Sequence, residues 1–306
     1  MSERLRIGTR GSQLALRQAE MVDALLRGAW PEVRVEIVPI KTSGDQWKDV
    51  SLSDLGGKGL FVKEIEEALL DGRVDLAVHS LKDLPAELPS GVEITAFPPR
   101  EDPSDVLLAR TGTDLESLPL GARVGTSSLR RRAQLLSLRP DLQIEGIRGN
   151  LDTRIQKLRE LPLDAIVVAA AGLKRLGLHP KPYYRLSPED FVPAVGQGIL
   201  AIEARRDDRR VSELLTPLDH EPTRRVALAE RSFLAAIGGG CHAPLGGHAE
   251  EREGMLHLIG LVGSPDGKKL LKEKLAGPVG KPEALGRRLG EILLGQGALR
   301  LIRGGE

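Results

Sequence analysis

The 306-residue sequence holds one cysteine, Cys241, which excludes an internal disulfide and fits a reducing compartment. Aromatic residues are nearly as scarce at 3%, so the cores must be built from Leu, Val, Ile and Ala within an apolar content of 41%. No apolar run is long enough to cross a bilayer: the longest, LDAIVVAAAGL, falls far short of the roughly 20 residues required. The opening MSERLRIGTRG carries charge but no apolar signal region. These absences predict a soluble, cytoplasmic protein with no membrane contact. Excess charge is also missing. Lys and Arg number 44 against 43 Asp and Glu, a net charge of +1, so whole-molecule attraction to nucleic acid is not indicated and any anion specificity must be local. A single Asn, Asn150, and three Met suit a heat-adapted source.

What the sequence does have is alternation. A chain of 306 residues exceeds what one core usually supports, which predicts two or three domains. LRIGT reads as a strand, SQLALRQAEMVDALL as an amphipathic helix capped by Ser12, and VRVEIVPI as a β-branched strand. GGKGLFVKEIEEALLDG follows as a glycine turn and helix, stopped by Gly72, and RVDLAVHS as the next strand. The Pro-rich and charged FPPREDPSDVL is a candidate crossing between domains. A second series follows: strand GARVGT and helix SSLRRRAQLLSL, strand LQIEGIRG and helix LDTRIQKLREL, strand DAIVVAA and the short helix AGLKRLG. After a break at FVPAVGQG come strand-like ILAIEAR, helical VALAERSFLAAI and a final strand-turn-helix that suits a small α+β unit. Repeated βα units predict open, largely parallel sheets with helices on both faces.

In VGTSSLRRRAQ three arginines occupy the first turn of a predicted helix, where the helix dipole disfavours positive charge. A bound anion would resolve the conflict, drawing on the turn's N–H groups, Ser127, Ser128, Arg130 and Arg131. The alternative is a solvated basic face. The pattern recurs after other strands: Arg10 and Ser12 in GTRGSQ, Ser80, Lys82 and Asp83 in HSLKD, Arg148 and Arg154 in IRGNLDTR, and Arg175 in GLKR. Ligands of open α/β sheets bind beyond the carboxyl ends of the strands, so a cleft lined by these groups should take a ligand with several carboxylates or phosphates. Asp83 is the exception in sign, either a structural ion-pair partner or a carboxylate that stabilises a cation formed in a reaction. Lys58 in GGKGLF sits on a glycine hinge or an ordinary helix entry, and the phosphate-loop pattern is absent.

Cys241 lies in GGGCHAPLGGH, where glycines permit close approach of a bulky group. One Cys with His242 and His248 is a poor zinc pattern, so no metal is expected. An inert buried thiol and a reactive attachment point both remain open.

Taken in order, IGTRGSQLALRQA, GGKGLFVKEIE, DLAVHSLKDLP, PREDPSD, VGTSSLRRRAQL, RGNLDTRI, AAAGLKRLG, PAVGQGILAIE and GGCHAPLG cover nearly the whole chain, and the chain resembles the porphobilinogen deaminase (hydroxymethylbilane synthase) family. The resemblance implies a transferase that joins four porphobilinogens head to tail, with loss of ammonia, on a dipyrromethane cofactor held by a thioether to Cys241, and then releases the linear tetrapyrrole. It implies that Asp83 is the catalytic aspartate, that Arg10, Ser12, Lys82, Ser128, Arg130, Arg131, Arg148, Arg154 and Arg175 bind the cofactor and substrate carboxylates, and that Lys58 lies on a mobile segment over the site. It implies two similar doubly wound α/β domains like those of periplasmic binding proteins, 1–98 with 199–216 and 99–198, plus a small α+β domain, 217–306, that carries the cysteine. A monomer is implied, with transient contact to uroporphyrinogen-III synthase, which cyclises the unstable product. The run Gly238–Gly240 departs from relatives that have a bulkier residue there.

Overall fold

A computed structural model of the chain describes residues 4–46, 62–112, 114–238 and 243–303. Two expected functional residues, Lys58 and Cys241, lie outside the described residues, as does His242. The chain divides into two compact units, Met1–Glu101 with Ile199–Arg224, and Asp102–Gly198 with Arg225–Glu306. The junctions fall in FPPREDPSDVL and beside PAVGQG, the two breaks in the alternation.

In the first unit, β1 (Arg4–Arg10), α1 (Gln13–Ala29), β2 (Arg34–Ile40), the short α2 (Ser43–Gln46), α3 (Lys63–Leu70), β3 (Leu76–Ser80), a 3-10 turn (Leu81–Asp83) and β4 (Val92–Ala96) follow one another. The second unit begins with β5 (Asp105–Ala109), β6 (Arg123–Gly125), α4 (Leu129–Leu138), β7 (Gln143–Glu145), α5 (Leu151–Glu160), β8 (Ala165–Ala169), α6 (Ala170–Arg175) and β9 (Tyr183–Leu186). The chain then returns to the first unit as β10 (Leu200–Arg205) and α7 (Arg209–Leu215), and continues through α8 (Glu221–Ile237), β11 (Leu245–Arg252), β12 (Met255–Gly263), β13 (Leu270–Pro278), α9 (Pro282–Gly295) and α10 (Ala298–Arg303).

The first sheet has the order β2-β1-β3-β10-β4, with β1 parallel to β2 and β3, and β10 antiparallel to its neighbours. Leu5, Ile7, Leu76, Val78, Leu200 and Ile202 pack against Ala19, Val22 and Leu26 of α1 on one face. Ala77 and Val92 pack against Ile65, Ala68 and Leu69 of α3 on the other. With both faces covered by helices, the central strands β3 and β10 are buried along nearly their whole length.

The sheet β7-β6-β8-β5-β9 repeats this plan, with β6 parallel to β7 and β8, and β5 antiparallel to β8 and β9. Its alternate residues also face two ways: Leu107, Val124 and Val167 pack with Leu135 of α4, while Val106, Ile166 and Val168 pack with Leu158 of α5 and Leu173 of α6. The two units are doubly wound α/β structures, and the second also holds a small sheet, β11-β12-β13, with α9 against β12 and β13. The sequence does not announce strands β4, β5, β9, β11 and β13, and β5 begins inside the Pro-rich stretch read as a crossing between domains. β13 alternates charged residues (LLKEKLAGP) and is half exposed, and β11 begins with Leu-Gly-Gly, so neither shows an apolar strand pattern.

Candidate functional site

Parallel strands end together, and in the first unit this gathers four of the expected residues at one edge. β1 and β3 pair with Ile7 opposite Leu76 and Gly8 opposite Ala77, so Arg10 and Ser80 close adjacent strands at the same side of the sheet. Ser12 adopts extended backbone and accepts a hydrogen bond from the Ala15 N–H at 3.3 Å, which starts α1 where its sequence predicts. The Ser80 hydroxyl accepts from the Gln18 side-chain amide of α1 at 2.9 Å. Beyond it, the turn Leu81–Asp83 is pinned by three contacts: Leu81 is buried, its N–H donates to the Ile199 carbonyl at 2.9 Å, and the Leu84 N–H returns to the Leu81 carbonyl at 3.1 Å. The turn leaves Lys82 half-buried and Asp83 exposed. Asp83 makes no side-chain hydrogen bond or ion pair among the described residues, so the structural ion-pair reading of this carboxylate finds no partner there.

In the second unit, the carboxyl ends of β6 and β7 adjoin in the same way. Ser128 caps α4, accepting from the Arg131 N–H at 3.4 Å, and the Thr126 hydroxyl accepts from the Ser128 N–H at 3.2 Å. Ser127 donates to the Ile147 carbonyl at 2.7 Å, which ties the β6 loop to the loop holding Arg148. Within that loop, Gly149 has φ of 108°, a conformation that L side chains rarely adopt. The Arg154 guanidinium donates to the Gly149 carbonyl at 2.9 Å, and Lys157 to the Arg148 carbonyl at 3.0 Å. Arg148 and Arg154 are both half-buried.

Arg130 and Arg131 are placed differently from a surface anion trap. Both are buried, and both reach Asp105, the first residue of β5, with each pair 2.7 Å apart. Arg130 also donates to the Val192 carbonyl at 2.7 Å, and Arg131 to the Val167 carbonyl at 2.9 Å. The anion that resolves the charge conflict in the first turn of α4 is therefore internal. Burial pushes the Asp105 carboxyl up, but the two arginines more than reverse this and hold it well below the usual carboxylate range. Burial also pulls Arg130 below the ordinary guanidinium value, against the opposing pull of Asp105.

Gln197 joins the cluster, donating to Asp105 at 3.0 Å and to the Pro103 carbonyl at 2.7 Å. Arg175, also buried, donates to the Gly198 carbonyl at 2.7 Å. Asp105 and Gln197 were not singled out in the sequence, although PREDPSD and PAVGQG contain them. Their partners lie 26 and 92 residues away along the chain, a pairing that no local periodicity records.

Two family models match the chain: "Porphobilinogen deaminase, dipyromethane cofactor binding domain" over residues 5–213 and "Porphobilinogen deaminase, C-terminal domain" over residues 225–295. Relatives named porphobilinogen deaminase include one from Syntrophobacter fumaroxidans, 52% identical over 299 residues, which are 97% of this chain and 96% of that one. Another, from Syntrophotalea carbinolica, is 52% identical over 301 residues, 98% and 96% of the two chains. A third, from Brevibacillus brevis, is 52% identical over 294 residues, 96% and 94%.

Proposed function

The chain belongs to the porphobilinogen deaminase family, and from that premise we propose how its own residues divide the work. It is a transferase that polymerises porphobilinogen with a dipyrromethane cofactor in tetrapyrrole biosynthesis. When bound, the cofactor supplies the pyrrole terminus to which substrate is joined. Its acetate and propionate groups call for hydroxyl, ammonium and guanidinium donors at fixed positions, and the described residues fit that demand. Arg10, Ser12 and Lys82 lie at or just beyond the carboxyl ends of β1 and β3 in the first unit, and Ser128, Arg148 and Arg154 follow those of β6 and β7 in the second.

In this reading Cys241 is the thioether attachment point, and Lys58 lies on a segment that covers the site. Arg10, Ser12, Lys82, Ser128, Arg148 and Arg154 bind the carboxylates of cofactor and substrate. Arg130, Arg131 and Arg175 belong to the same set but act from deeper positions. With Asp105 between them, Arg130 and Arg131 keep a net charge of +1, which favours a nearby carboxylate. Asp83 is the catalytic carboxylate. As ammonia leaves porphobilinogen, positive charge develops on the methylene carbon, and a carboxylate held on a pinned turn stabilises that charge without reorganising. The observation that carries the reading is the exposed Asp83, with no ion-pair partner among the described residues, on a turn fixed at both ends beside Lys82 and Arg10.

No helix among the described residues is long and apolar enough to cross a membrane. We further propose a cytoplasmic monomer, in which a reducing compartment keeps the single thiol available, and a transient handover of the product to uroporphyrinogen-III synthase. The three-domain division, with residues 217–306 carrying the cysteine, belongs to the same proposal.

The direct test is the intact mass of the denatured protein, followed by peptide mapping. The expected result is an excess equal to dipyrromethane on the peptide containing Cys241, and an excess on any other peptide would overturn the attachment. Asp83→Asn should keep the adduct while losing about 10²-fold or more of kcat. Full activity in that variant removes Asp83 from the mechanism.

A further inference from the structure

On the side of the second sheet where β8 begins, away from the carboxyl ends that precede Ser128 and Arg148, lies a cavity of about 200 Å³ that the reaction does not use. Its place in the fold has a simple cause. β5 runs antiparallel to β8, with Asp105 opposite Ala169 and Ala109 opposite Ala165, so β5 ends beside the start of β8. On its other side β5 pairs with β9 only as far as Leu108 opposite Tyr183. Continuing that register puts Pro182 opposite Ala109, and proline has no N–H with which to extend the ladder. The pairing stops there, and a space stays open between the end of β5, the loop 180–182 and one side of α5.

The wall of the cavity is apolar, with Leu108 and Ala109 from β5, Ile155 and Leu158 from α5, and two prolines from the loop. Its charged groups are all of one sign: Arg110, Arg159 and Lys181 line it, and no carboxylate among the described residues joins them. Arg159 and Lys181 are exposed and make no side-chain hydrogen bond or ion pair among the described residues. Arg110 donates through Nε to the Leu158 carbonyl at 2.8 Å, and through Nη2 to the Arg159 carbonyl at 3.0 Å and to the Leu161 carbonyl. These bonds decide which ligand charge the cavity favours. The last carbonyls of α5 form the negative end of the helix dipole and would repel an anion, but Arg110 answers them and still has Nη1 without a partner among the described residues. The nearby acids are engaged elsewhere, Glu160 accepting from Gln156 at 2.6 Å and Asp164 from the Arg123 N–H at 2.7 Å.

Size and charge together specify the ligand. An apolar cavity of about 150 Å³ accepts one benzene ring, so this one has room for a single ring with a short substituent and none for a second ring. That excludes the dipyrromethane and the growing chain, and separates the cavity from the site that holds them. Three cations around an apolar wall repel one another, and an anion with a flat apolar body relieves that repulsion while covering the wall. We propose that the cavity is a second binding site, one that takes a monocyclic aromatic carboxylate. The ring lies against Leu158 and the prolines, and the carboxylate lies among Arg110 Nη1, Arg159 and Lys181, where the guanidinium forks suit its two oxygens.

The test titrates the holoenzyme with 4-fluorobenzoate, followed by fluorine NMR of the probe. Saturable binding is expected with a Kd of about 1 mM or tighter, and at least about tenfold tighter than that of 4-fluorobenzamide, which keeps the ring and lacks the charge. The assigned site also takes carboxylates, so a variant tells the two apart. Arg159→Gln with Lys181→Gln alters two exposed side chains outside the assigned set; it should weaken the probe about tenfold or more and leave kcat within about twofold of the wild type. Ala109→Leu fills part of the wall without changing charge and should weaken both probes; if it fails to fold, judged by its melting temperature, the charge variant decides alone. A crystal soaked with 4-fluorobenzoate should place its ring against Leu158. Equal affinity in the wild type and the charge variant would put the probe in the assigned site and overturn the proposal. Equal affinity for the charged and neutral probes, or no saturable binding below about 10 mM, would overturn it too.

Discussion

At the scale of single residues, Asp105 anchors a buried charge cluster in the second unit. It is fully buried and faces two guanidinium groups at 2.7 Å, with Gln197 on the same oxygen that Arg131 uses. Exchanging a whole buried ion cluster for apolar residues can be neutral, but removing one partner strands the others. Asp105→Asn should therefore cost about 3–5 kcal/mol, read as a lower urea midpoint at unchanged slope. A loss below about 1 kcal/mol would mean that Arg130 and Arg131 find compensation elsewhere. The residue types at this site could be read from the sequence, since three arginines at a helix start signal a missing anion. The direction in which that anion lay could not, because the sequence does not say whether the negative charge comes from a ligand or from another strand.

Among the elements, glycine marks the places where sequence patterns and packing disagree. β11 shows little strand character in sequence because Gly246 and Gly247 interrupt it. A Cβ on Gly246 would sit 3.0 Å from the Pro193 and Val192 carbonyl oxygens, and one on Gly247 would sit 2.9 Å from Val195. In α9 the conflict runs the other way. The helix was legible despite Gly286 and Gly290, which are there because α8 packs too close for side chains: a Cβ on Gly286 would run into the Ala229 carbonyl oxygen, and one on Gly290 would lie 2.5 Å from the Ala236 Cβ. Alanine favours helix over glycine by about 1 kcal/mol in isolation. Gly286→Ala should nevertheless destabilise the protein by about 1–3 kcal/mol through overpacking, measured by denaturant unfolding. A stabilised variant would show that α8 and α9 can separate at little cost.

On the scale of the whole chain, both α/β units place an antiparallel strand fourth in the sheet, and in the first unit that strand arrives late. β10 pairs with β3 and β4, so residues 1–101 alone would leave β4 without a neighbour and β3 with an open edge. A fragment of residues 1–101 should fail to fold, shown by unprotected amides in hydrogen exchange. Joining residues 199–224 to it through a flexible linker should restore protection in β1 and β3. Protection in the shorter fragment would mean that β10 is an addition to a sheet already stable without it.

The sequence by itself determined the βα alternation, the capping of α1 by Ser12, the two breaks between the units, and the family with its reaction, because helix starts, apolar periodicity and ordered motifs are local or linear properties. Only the tertiary structure decided that Arg130 and Arg131 are answered by Asp105, that Gln197 and Arg175 hold segments near the junctions, that Asp83 stands exposed on a pinned turn, and that Arg110, Arg159 and Lys181 line one cavity. Each of these depends on which strands become neighbours, and strand order is set by packing both faces of a sheet at once rather than by any stretch of sequence read alone.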